Sequence, residues 1–268
     1  MSSRHNGGTE YPREKAIMQS LSHLGEYPVL EFRRYTLVPD ACHRFTRYFE
    51  SFFPEAFEQL GSMVLGSFHE REDPQRFTWL RGFHDMNSRA IINAAFYYGP
   101  LWKEHRDRMN SLMQDSDDVM LLRPLHADDN VMLLPAVDPV DEAGTARGVL
   151  VARIFSVTPG RVEAFAAWAE GKFASYRAAG IRQAGLLATL EEANNFPQLP
   201  VRVDGPFVVW LGVARDNQAA DLALLSLAEE DRTFLVDSDF LRAPPETVVM
   251  DPTPRSRLRW LPDWEQVK

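Results

Sequence analysis

Hydrophobic and polar positions follow an order along this chain that occurs twice. Val29-Leu-Glu-Phe-Arg33-Arg-Tyr-Thr-Leu-Val-Pro39-Asp is rich in β-branched and aromatic residues and stops at a Pro-Asp turn, so it reads as a strand. Val149-Leu-Val-Ala-Arg153-Ile-Phe-Ser-Val-Thr-Pro159-Gly repeats it at an offset of 120: Leu30 meets Leu150, Arg33 meets Arg153, Tyr35 meets Phe155 and Pro39 meets Pro159. A helical stripe follows each turn. Phe45, Phe49, Phe53, Ala56 and Leu60 form the first, and Phe165, Ala169, Phe173 and Tyr176 form the second. Each stripe runs out at a glycine, Gly61 or Gly180, and Pro54 is expected to bend or split the first helix.

Two short strands come next in each copy. Met63–Glu70 is answered by Ala184–Glu191, and Arg76–Phe83 by Phe207–Ala214. The offset has grown to 131 because the second copy carries a longer Asn/Pro/Gly loop, Asn194 to Pro206. Asp85 and Asp216 then open a second helical region. Val119–Pro124 closes the first copy, and Thr247–Met250, running on through Arg255–Leu258, closes the second. The order strand, helix, strand, strand, helix, strand is the split β-α-β unit of a ferredoxin-like fold. The expected organisation is a loose arm over 1–27 with a helical piece around Lys15–Leu24, a first unit over 28–125, a linker over 126–147, a second unit over 148–262 and a tail over 263–268. The two sheets are expected to meet face to face within the chain. In the linker, Val131–Leu134 is expected to add one strand.

Composition narrows the function classes. The 268 residues include 29 Lys and Arg against 38 Asp and Glu, a net charge of −9, which disfavours nucleic acid and anionic membranes as partners. No secretory segment and no apolar run of the ~18 residues needed to span a membrane stands out, so the cytoplasm is the default expectation. The single cysteine, Cys42, excludes an internal disulfide and reads as a buried thiol. There is no dinucleotide fingerprint, phosphate loop, HExxH, GxSxG or CxxC, and no pair of histidines four apart. The expectation is therefore no haem, no flavin and no metal. His69-Glu70 with His84 would approach a metal site only if their strands pair to bring them together.

The remaining candidates are side chains whose place on an element is unusual. Arg33 and Arg153 both lie inside apolar strands, Arg33 on the face of Glu31, Tyr35 and Leu37. Such an arginine is either an anion-binding group in a pocket, the partner of an internal glutamate, or an outward side chain lying along the sheet. Strand period puts Phe77, Trp79, Arg81 and Phe83 on one face, and helical spacing puts Trp102, His105, Met109 and Leu112 on another. A small-molecule site is expected between the first sheet and its second helix, with Arg33, Trp79, Arg81 and Trp102 binding and His105 or His84 as candidates for proton transfer. For His105, a satisfied core histidine is the alternative.

Several runs resemble the NIPSNAP family. They are Glu31-Phe-Arg33-Arg-Tyr35-Thr-Leu, Phe77-Thr-Trp-Leu-Arg-Gly-Phe83 with Ser88-Arg89-Ala90, Phe96-Tyr-Tyr-Gly-Pro-Leu-Trp102-Lys-Glu-His105-Arg106-Asp, and Asp115-Ser-Asp-Asp-Val-Met-Leu-Leu-Arg-Pro124. They cover about Val29 to Pro124; the second half is similar only in outline, with Pro252-Thr-Pro-Arg255-Ser256 near its end. The resemblance implies a dimeric α+β barrel in which two ferredoxin-like units, here in tandem, join their sheets. That superfamily holds cofactor-free monooxygenases, haem-degrading enzymes, chlorite dismutases and proteins with no known reaction, so fold alone leaves function open. Three functions follow. The chain binds or transforms a small, partly apolar molecule, with cofactor-free oxygenase chemistry as one form of this; or it is a non-catalytic scaffold; or it binds haem through His69, His84 or His105. A small molecule and a further copy of the chain are the partners this leaves. A pocket in only one copy favours the first function, and two filled cores favour the second.

Overall fold

The computed structural model describes residues 27–138, 140, 142, 146–225, 239–261 and 264. The first unit runs β1 (Val29–Leu37), α1 (Cys42–Phe52), α2 (Pro54–Leu60), β2 (Met63–Glu70), β3 (Arg76–Phe83), α3 (Met86–Tyr97), α4 (Pro100–Asn110) and β4 (Met113–Pro124). The second runs β5 (Val149–Ser156), α5 (Val162–Ala178), β6 (Arg182–Thr189), β7 (Phe207–Ala214) and β8 (Glu246–Pro252), with 217–225 also helical. Pro54 splits the first helix as its missing N–H requires: it sits at the start of α2, and Phe53 ends α1. Gly61 and Gly180 both take left-handed φ, 99° and 93°, which releases the chain from each helix without a Cβ clash. Asp85 caps α3 by accepting from the Ser88 N–H at 2.6 Å, and the Ser88 hydroxyl accepts from the Asp85 N–H.

The eight strands close into one antiparallel barrel in the order β1-β3-β2-β8-β5-β7-β6-β4. The two sheets join edge to edge as well as facing one another. β2 pairs with β8, Phe68 opposite Pro252, and β4 pairs with β6, Leu122 opposite Thr189. A four-stranded ferredoxin sheet ends in unpaired N–H and C=O groups, and each edge is joined to the other unit over three residue pairs, which closes the barrel. The inward faces of both units then share one core, with Phe32, Phe68, Leu80 and Leu122 packed with Leu150, Val209, Leu211 and Met250. Among the described residues the linker adds no strand: the Met132 N–H donates to Ala184 O at 2.9 Å, and Val131 and Leu134 bury their side chains in the shared core. One such bond is too few for a ladder, and the segment is held by its buried side chains instead. The N-terminal arm up to residue 26, with its expected helical piece, and most of the C-terminal tail lie outside the described residues.

Outward faces are covered by helices. In the first unit Phe45, Phe49, Phe53 and Phe57 pack on Tyr35, Phe77 and Trp79. In the second, Phe165, Phe173 and Tyr176 pack on Phe155 and Trp210. Among the described residues, no helix is long and apolar enough to cross a membrane.

Candidate functional site

Between the outer face of the first sheet and its helices lies a cavity of about 320 Å³, at the small end of the roughly 300–1,000 Å³ typical of ligand pockets. β1 contributes Arg33 and Tyr35, α1 Phe45 and Phe49, β3 Trp79, α3 Phe96 and Tyr97, and α4 Trp102, Met109 and Asn110. Phe53, Phe57, Tyr98, Met113 and Ser116 extend the wall, and Phe196, Gln198 and Leu199 of the second unit's long loop roof it. Eleven of these eighteen residues are aromatic, so the cavity presents ring faces and edges almost everywhere. Phe57 stacks on Phe96 at 3.9 Å between centroids, and Phe49 meets Trp79 at 5.0 Å, which fixes the wall as a packed aromatic shell.

Behind that wall lies a buried charge cluster. Glu31 Oε2 accepts from Arg33 Nη1 at 2.8 Å and Arg81 Nε at 2.7 Å, while Oε1 accepts from Arg89 Nε at 2.7 Å. All four side chains are buried. Burial by itself would raise the Glu31 carboxyl, but the charges of Arg81, Arg33 and Arg89 outweigh it and hold the group far below the usual carboxylate range. Arg33 Nε also donates to Tyr35 Oη at 2.9 Å, and both residues line the cavity. Trp79 Nε1 is buried without a hydrogen-bond partner. Burial pushes the Tyr97 phenol up, so it enters the cavity as a neutral group.

Of the residues singled out in the sequence, Arg33, Trp79 and Trp102 line the cavity and three do not. Arg81 stands one ring behind it, its guanidinium 4.8 Å from the Phe57 centroid and 5.1 Å from that of Trp79. His105 faces the seam between α1 and α4: its Nδ1 is 2.6 Å from Tyr48 Oη and its ring stacks on Phe52 at 4.1 Å. His84 is exposed at the end of β3 and stacks on Tyr27 at 4.7 Å. The β2–β3 register puts His69 opposite Phe77 and Met63 opposite Gly82, so His69 and His84 lie at opposite ends of that pair. Glu70 is bound instead by Arg34, at 2.8 Å and 2.9 Å. No group of three or more potential metal ligands occurs among the described residues. The three histidines considered for haem all lie off the cavity lining, so they do not fit that role there. Burial pushes the Cys42 thiol up to about 11, which keeps it protonated near neutrality.

The sequence carries little signal that the phenylalanine stripe of α1 or the roof belongs to a site. The stripe has the pattern of any core helix. The roof left one trace, the extra length of the second copy between Asn194 and Pro206.

No family model matches the chain, and no curated protein matches it. Solved structures do. An anthrone oxidase-like protein aligns over 85% of this chain and 92% of its own, with 13% identity and a TM-score of 0.54. A monooxygenase-like protein of Lactobacillus acidophilus NCFM aligns over 85% and 94%, with 12% identity and a TM-score of 0.52. A NIPSNAP-like domain protein of Burkholderia xenovorans aligns over 43% of this chain and 99% of its own, with 24% identity and a TM-score of 0.36. The chain is a tandem dimeric α+β barrel.

Within this barrel the two halves differ where the cavity lies. At the positions of Glu31, Arg81, Arg89 and Asn93 the second half carries Val151, Gly212, Ala220 and Leu224. Trp210, the counterpart of Trp79, is fully buried and donates from Nε1 to Gln183 at 3.1 Å. A Cβ at Gly212 would collide with its indole, so that ring covers the place where Arg81 stands in the first half. Tyr176 and Phe173, both fully buried, complete the filled layer.

Proposed function

We propose that the first half of this barrel binds a small, planar, partly apolar molecule. The observation that carries the reading is the asymmetry between the halves: an aromatic cavity of about 320 Å³ faced by Arg33 in the first, and, among the described residues, packed side chains around Arg153 at the equivalent place in the second. A pocket kept open against the ~25 cal/mol per Å² gained by burying apolar surface is supported best as a place for something else to bury.

Oxidation of that molecule by dioxygen without a cofactor is the finer form of this reading, in keeping with the monooxygenase-like and anthrone oxidase-like structures of the same fold. The chemistry balances for a methylene activated by flanking rings: the CH₂ becomes C=O with one oxygen atom, the other leaves as water, and the substrate supplies all four electrons. Among the described residues no histidine or carboxylate lines the cavity, so such a substrate would enter already deprotonated or lose its proton to water.

The test is calorimetric titration with naphthalene derivatives, repeated on Ser116→Trp, which puts an indole into the cavity. Binding that the substitution abolishes supports the reading; no binding, or binding indifferent to the substitution, overturns it. Oxygen uptake with anthrone tests the finer form separately.

A further inference from the structure

The charges behind the cavity wall do not balance. Glu31 is one carboxylate against Arg33, Arg81 and Arg89, each no more than 1% exposed, and among the described residues no other acidic side chain forms an ion pair with any of the three. The cluster therefore carries two net positive charges in an apolar layer. Its hydrogen bonds are incomplete as well: Arg81 Nη1 and Nη2, Arg89 Nη2 and Trp79 Nε1 are buried donors without a partner. Buried cations in this state are destabilising by several kcal/mol unless a negative group joins them. Among the described residues no acidic side chain lines the cavity, although the chain as a whole carries a charge of −9. Charge in a low-dielectric layer acts over several ångströms, and Arg81 lies only a ring's depth behind Phe57 and Trp79.

We propose that the ligand of this cavity is an aromatic oxyanion, a ring carrying a carboxylate or phenolate, whose charged oxygen rests on Arg33 beside Trp79. The proposal rests on the cavity being a small-molecule site. The ring occupies the aromatic shell, and the oxyanion supplies the charge that Glu31 leaves uncompensated. Arg33 is the contact group because it is the one cationic residue among the described lining residues, and its Nε and Nη1 are held by Tyr35 and Glu31, which fixes its direction. Arg81 and Arg89 act through the field and do not touch the ligand. The second half keeps a buried arginine, Arg153, at the place of Arg33, but it lacks the counterparts of Glu31, Arg81 and Arg89, and among the described residues its layer is packed with side chains.

The experiment compares four probes by isothermal titration: 2-naphthoate, neutral 2-naphthamide, cationic 2-naphthylmethylammonium, and 2-naphthol above and below its own pKa. The expected result is naphthoate at least about tenfold tighter than the amide, and the ammonium weakest. Naphthol gaining affinity on ionisation identifies phenolates as the source of the charge; a gain for naphthoate alone identifies carboxylates. In Arg33→Met, naphthoate should lose at least about tenfold more affinity than the amide. If that variant does not fold, the order of the probes on the unaltered protein decides. An amide or ammonium that binds as tightly as naphthoate overturns the charge assignment and leaves the binding site standing. If none of the four binds, the site itself falls and the oxyanion with it.

Discussion

Glu31 and Arg89 meet at 2.7 Å, both fully buried, and so tie the start of β1 to α3 on the outside of the barrel. The same guanidinium reaches the second unit, donating from Nη1 to Asn194 Oδ1 at 3.0 Å and Asn195 Oδ1 at 2.8 Å. These asparagines begin the loop that carries Phe196, Gln198 and Leu199 over the cavity. One arginine thus couples the charge cluster to the roof, and the cavity is assembled from both halves although its chemistry belongs to one.

Arg89→Met should loosen that roof. It removes charge-assisted bonds each contributing about 1.5–3 kcal/mol, and its effect on global stability is partly offset because the cluster sheds one uncompensated cation. Hydrogen exchange should quicken over 194–199 while the barrel strands stay protected; unchanged exchange in the loop would show that its own contacts hold it.

Removal of Glu31 acts in the opposite sense on charge. Glu31→Ala leaves three buried guanidiniums with no carboxylate and is expected to destabilise the fold by about 3–5 kcal/mol or prevent folding. Glu31→Gln keeps the shape and two acceptor lone pairs and should lose less. Chemical denaturation of the two variants gives the order directly.

Acid should uncover the same group. The folded-state pKa of Glu31 is depressed, so its contribution is complete above its ordinary value of 4.5 and is lost as pH falls from there toward the folded value. The stability difference between the natural protein and Glu31→Gln should therefore be constant from pH 7 to about 5 and shrink below it. A difference that grows on acidification contradicts this assignment.

The paired tryptophans give a comparison inside one chain. Trp210→Phe leaves a gap in a filled layer and strands Gln183, whereas Trp79→Phe borders an existing cavity and removes a donor that had no partner. The first should lower the melting temperature more, by a margin equivalent to about 1–2 kcal/mol. Equal losses would mean that the two layers are packed alike.

His105→Ala should lower stability by about 1–3 kcal/mol and leave ligand affinity unchanged, because the ring is held by Tyr48 and Phe52 away from the cavity lining. Loss of affinity without loss of stability would return this histidine to the site.

Much of the molecule was legible in the chain. The repeat gave two ferredoxin-like units, Pro54 gave the split helix, and strand period placed Glu31, Arg33, Tyr35, Trp79 and Arg81 on the outward face where they are found. These features depend on backbone geometry over a few residues: side chains alternate along a strand and recur every three or four along a helix, so a local pattern records which face is covered. Tertiary structure alone decided the rest. Joining β2 to β8 and β4 to β6 required two distant edges to find each other, and the meeting of Glu31 with Arg89 spans 58 residues. Whether the layer outside each sheet is open or filled depends on the summed volume and rotamers of side chains from many elements, including a loop of the other half. Phe45 and Phe165 occupy equivalent places in equivalent stripes, yet the first borders a cavity and the second a filled core. Periodicity fixes the direction of a side chain; only packing among non-local neighbours fixes what volume is left over.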